Sequence, residues 1–90
     1  LQGEMAKLQE ELKTRTLEAT AGGGVVKVSI NGEKQILSVK IDPAAVDPED
    51  VEMLEDLIAV AVNEAIKKVD DMMTQEMSKL TGGMKIPGMF

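Results

Sequence analysis

The chain has 90 residues, a net charge of −6, one aromatic residue (Phe90), no cysteine and no histidine. Disulfides and thiolate metal sites are excluded, and the commonest metal ligand and general base is missing. A core without aromatic bulk must be assembled from Val, Ile, Leu, Ala and seven Met, so a chain this small is expected to draw stability from oligomerisation. No apolar run approaches the ~18 residues of a membrane span and no signal peptide is visible, so the expected location is the cytoplasm. The chain opens on Leu1, and further native residues are expected ahead of it.

Residues 1–13, LQGEMAKLQEELK, space Leu1, Met5, Leu8 and Leu12 at helical intervals, which predicts an amphipathic helix too short to stand alone. From Thr14 the period changes to two, and residues 14–42 read as three strands. The first contains Thr16, Leu17, Glu18, Ala19 and Thr20; AGGG (21–24) then makes a turn. In VVKVSI, Val26, Val28 and Ile30 share one face and Lys27 and Ser29 the other. Asn31-Gly32 predicts a type I′ hairpin turn, and the return strand places Leu37, Val39 and Ile41 inward with Ser38 and Lys40 outward. Asp47 is the expected N-cap and Pro48 the first residue of a helix over 48–80, stopped by Gly82-Gly83. That helix spans about 50 Å against strands of about 20 Å. Its apolar stripe continues through Val69, Met72, Met73, Met77 and Leu80, beyond the expected edge of the sheet. The overhang predicts a partner chain, for which a second copy is the simplest candidate. Leu8 and Leu12 of the first helix join these five residues as interface candidates. Residues 1–83 form one predicted domain, with 84–90 a flexible tail.

Charge divides the chain. Residues 1–41 hold six basic residues against five acids, whereas 42–90 hold four against eleven, seven of them within 42–56. A pI near 4.5 weighs against nucleic-acid binding. The densest acidic stretch, DPEDVEMLED, reads as the start of a helix and a solvated face, and it does not match a calcium-binding loop. Ser29, Ser38 and Ser78 have no histidine to activate them. AGGGVVK lacks the Gly-Lys-Ser/Thr order and the following helix of a phosphate-binding loop. No enzyme, metal, cofactor or small-molecule substrate is expected. Lys27 and Lys40 share the outward sheet face, with Arg15 near its edge and Lys34 at the hairpin tip, a small basic patch that also serves to discourage edge pairing. The Met-rich stretch DDMMTQEMSKL is either a buried seam or an adaptable binding surface.

Taken in order, AGGGVVKVSINGEKQILSVKIDP, DPEDVEMLEDLIAVAVNEAIKK and MSKLTGGMKIPGMF resemble the YbaB/EbfC family of bacterial nucleoid-associated proteins across nearly the whole chain. The front departs from the pattern, because this chain starts partway into the family's first helix. The resemblance implies an α+β, αβββα homodimer with a three-stranded antiparallel meander and projecting helical arms. It also implies a non-enzymatic protein of the cytoplasmic nucleoid that binds double-stranded DNA with low sequence specificity and influences nucleoid organisation and gene expression. No family motif fixes the contacts, so the DNA-contact candidates are chosen by charge: Lys7, Lys13, Arg15, Lys27, Lys34 and Lys40. The competing reading is a protein-interaction module that uses the Met-rich end of the long helix, with DNA contact incidental.

Overall fold

The computed structural model describes residues 2–80 of the chain. Helix α1 covers Gln2–Thr14, strands β1, β2 and β3 cover Thr16–Ala21, Val26–Asn31 and Ile36–Ile41, and helix α2 covers Val51–Leu80. The strands form one antiparallel sheet in the order β1-β2-β3. The α+β, αβββα layout read from the sequence is therefore the one observed. The expected Gly-Gly helix stop and the tail 84–90 lie outside the described residues.

Period-two alternation sets the sheet. Ala19, Ala21, Val26, Val28 and Ile30 turn inward and are buried against Ala61, Ala65 and Val69 of α2. Four of those eight positions are alanine. Small side chains on both surfaces let the helix lie close to the sheet, so the core closes without aromatic residues. Leu17, Ile41, Leu54, Leu57, Ile58, Val62, Ile66 and Met73 extend it around the rim. Between β1 and β2, Gly22, Gly23 and Gly24 all take positive φ (64°, 74° and 100°), a path that side-chain-bearing residues resist.

Three local expectations are corrected. The β2–β3 turn is longer than a two-residue type I′ turn, and its organiser is the Asn31 side chain. Asn31 Oδ1 accepts from the backbone N–H of Glu33 (2.9 Å) and Gln35 (3.0 Å), while Asn31 Nδ2 donates to Gln35 Oε1 (2.8 Å). The residue with positive φ is Lys34 (63°), not Gly32. Gly32 is needed for another reason: a Cβ there would collide with the Leu12 carbonyl, and the Gly32 N–H donates to Lys13 O at 3.2 Å.

At the other end of the sheet, α2 begins at Val51, and Asp50 caps it through the Met53 N–H at 3.3 Å. Asp47, the expected cap, instead accepts from the Glu49 N–H in the preceding turn at 2.9 Å. A second short turn, Pro43–Ala45, is closed by Asp42 accepting from Ala44 N at 3.0 Å.

The third correction concerns β3. Val39 and Ile41 pair with Val28 and Val26 and so face the helix side, as expected. But α2 packs chiefly on β1 and β2, and β3 lies beyond its cover. Ile36, Leu37 and Val39 stay 41%, 52% and 41% exposed. A register shift between Ser29 and Ile30 pairs Ile30 with Ile36, which leaves Leu37 as the extra residue of a bulge rather than an inward core position.

Candidate nucleic-acid interface

The six cations chosen by charge fall into distinct environments. Lys7 projects from the exposed face of α1. Lys13, in the last turn of the same helix, lies 3.6 Å from Glu10. Arg15 follows α1 directly and binds Glu76 of α2 at 3.1 Å, with Glu11 at 3.9 Å. Lys34 occupies the hairpin tip, where its ammonium meets Asp70 of α2 at 2.7 Å. Lys27 and Lys40 are direct cross-strand partners on β2 and β3. Both are exposed on the outer sheet face, and neither has an ion pair among the described residues.

Three further lysines lie on α2. Lys67 is exposed, Lys68 donates to the Glu18 carbonyl of β1 at 2.8 Å, and Lys79 lies 3.5 Å from Glu76. Glu76 therefore receives two cations. The Arg15 hydrogen bond, helped by the charges of Lys79 and Arg15, holds its carboxyl below the ordinary glutamate value of 4.5, outweighing its partial desolvation. The carboxylates of Asp70 and Glu76 were not singled out from the sequence. Their partners are far away along the chain (61 residues for Arg15 and Glu76), and only the fold brings them together.

The apolar candidates are largely committed within one chain. Leu12 and Val69 are fully buried, Met72 nearly so, and Leu8, Met73 and Met77 are half-buried. The side chain of Leu80 lies outside the described residues. Val69 belongs to the helix–sheet core, so the covered part of α2 reaches further along the helix than strand length alone suggested. The large apolar side chains left open are instead those of β3, together with Met5, Val46, Val51, Met53 and Val60.

Among the described residues no cavity opens and no group of three or more acids converges on a point that would hold a metal ion. No helix among them is long and apolar enough to cross a membrane. What the fold presents is an elongated body, 55 × 24 × 16 Å, with an open polar sheet face and a few localised cations.

The YbaB/EbfC DNA-binding family matches residues 1–84. The chain belongs to that family. Its relatives include a nucleoid-associated protein of Pelotomaculum thermopropionicum, 61% identical over all of this chain and 86% of the relative. A nucleoid-associated protein of Moorella thermoacetica is also 61% identical, over 94% of this chain and 82% of the relative. The crystal structure of an uncharacterized protein from Helicobacter pylori superposes with a TM-score of 0.75 at 26% identity, covering 89% of this chain and 84% of that one.

Proposed function

We propose that this member of the YbaB/EbfC family is a non-enzymatic nucleoid-associated protein of the cytoplasm that binds duplex DNA as a homodimer with low sequence specificity. The observation that carries the DNA reading is the family match over 1–84, in a family defined by DNA binding. Low specificity follows from the side chains available. Among the described residues there is no aromatic ring to stack on a base and no helix-turn-helix. Lysines acting on phosphate give affinity without reading sequence.

The two sheet edges support the dimer. The β1 edge is guarded, because the Lys68 ammonium occupies the Glu18 carbonyl. The β3 edge carries Ile36, Leu37 and Val39 in the open, and a second copy applied there would cover all three. The same contact would compensate for a core that has no aromatic bulk. The Met-rich end of α2 is less suited to a partner protein, since Met72 is already buried and Met73 and Met77 are half-buried.

The test combines light scattering with duplex binding at 50 and 200 mM salt. A dimer whose binding weakens steeply at the higher salt is expected. A monomer overturns the dimer, and a chain that ignores duplex DNA at 50 mM overturns the DNA reading.

A further inference from the structure

We propose that the Lys27–Lys40 pair on the outer sheet face is the phosphate-contacting site for duplex DNA, and that Arg15 and Lys34 are held out of that contact by Glu76 and Asp70. This rests on the DNA-binding reading above and narrows it to one surface.

The two lysines are adjacent by construction of the sheet. Lys27 and Lys40 are paired in the β2–β3 register, and Thr20 of β1 is paired with Lys27, so the three side chains form one row across the sheet. Like charges directly opposite each other on a sheet are unfavourable, and an anion placed across them removes the repulsion. Edge protection does not account for the arrangement. Lys40 sits on an edge strand, but Lys27 is on the central one, where no edge needs guarding.

In the neighbouring row Ser29 and Ser38 are small and polar, and the one long side chain, Glu18, stands at the β1 end away from Lys40. Two carboxylates flank the row, Glu18 on the same sheet face and Asp42 just past the end of β3, and neither forms an ion pair with Lys27 or Lys40. Glu18 accepts from the Ser29 hydroxyl at 3.5 Å and Asp42 from the Ala44 N–H at 3.0 Å. Ile36 and Val39 pair with Ile30 and Val28 and so lie on the helix side of the sheet, opposite Lys27 and Lys40, and a second copy that covers them from that side would leave both lysine pairs open.

Two of the remaining cations, Lys34 and Arg15, are less available. Lys34 and Asp70 meet at 2.7 Å, and Arg15 meets Glu76 at 3.1 Å on a carboxylate that Lys79 also approaches. A phosphate reaching either cation must displace a carboxylate already in place. Among the described residues Lys27 and Lys40 carry no such competitor; Lys7 and Lys67 carry none either, but each is on a helix and neither is paired with a second lysine across the sheet.

The experiment measures the dependence of duplex affinity on salt for the full chain and two variants, K27Q/K40Q and K34Q, each checked for folding by circular dichroism. Each phosphate contact contributes about −0.9 to the slope of log affinity against log salt. A homodimer carries four copies of these two lysines, so K27Q/K40Q is expected to flatten the slope by about 3 to 4. K34Q is expected to leave it unchanged. A K27Q/K40Q variant that keeps the wild-type slope, or a K34Q variant that loses as much as the double variant, overturns this assignment while leaving DNA binding itself intact. A wild-type chain that shows no binding at 50 mM salt overturns the DNA reading, and this inference with it.

Discussion

Gly32 is a residue whose role depends on a neighbour twenty positions earlier. In the sequence it reads as the second half of an Asn-Gly turn, but its conformation is one other residues can adopt. What it cannot accept is a Cβ, because the Leu12 carbonyl occupies that space. Gly32→Ala is therefore expected to cost about 2–3 kcal/mol, read as a lowered urea midpoint with an unchanged m-value. A loss below about 0.5 kcal/mol, the level of an ordinary surface change, would show that the α1–hairpin contact is loose.

Glu76 offers a second test at this scale. Its carboxyl is held below 4.5 mainly by the Arg15 hydrogen bond, so the folded state favours the charged form. A group with a depressed folded value contributes stability above its unfolded value and loses that contribution as pH falls through the folded one. Glu76→Gln is expected to be less stable than the parent at pH 7, with the gap closing as pH drops below 4.5. Paired thermal melts at pH 7, 5 and 3 measure this. A gap that stays constant with pH would mean the deficit comes from packing rather than from charge.

Among the elements, β3 departs furthest from its sequence pattern. The alternation of apolar and polar residues was legible, and it correctly put Val39 and Ile41 on the inner face because the period of two fixes side-chain direction. Coverage was not legible, because nothing local to β3 says where α2 will cross the sheet. The alanines of β1 and of α2 draw the helix toward β1 and β2 and leave β3 uncovered. Helix existence was equally clear and its boundary less so, since Asp47 and Asp50 are both good caps and only the intervening turn chooses between them. The six cations could be listed from the sequence. Their sorting could not, since the carboxylates that occupy Arg15 and Lys34 come from a distant part of α2.

β3 also carries the prediction proper to an element. Leu37→Ser with Val39→Thr removes apolar surface that one chain leaves exposed, so little intramolecular packing is lost. The doubly substituted chain is expected to stay folded by circular dichroism and to dissociate to monomers at concentrations where the parent is dimeric. A variant that sediments as the parent does would place the interface elsewhere.

For the whole molecule, an acidic protein and a polyanionic ligand are compatible only if the charge is segregated. It is: acids dominate 42–56, while Lys27 and Lys40 share an open sheet face. Net charge governs long-range approach and local lysines govern contact, so slow, weak and salt-sensitive association is the expected behaviour. The proposed dimerisation would double the number of phosphate contacts without adding a residue. An isolated pair of lysines would give little affinity, whereas four carried on one dimer would bind together.

The most direct measurement is duplex binding by analytical ultracentrifugation at 50 and 200 mM salt, which reads stoichiometry and affinity together. Two chains bound as a unit, with affinity falling about 100-fold over that fourfold rise in salt, is the predicted result for four phosphate contacts. Single chains bound independently, or an affinity indifferent to salt, would contradict it.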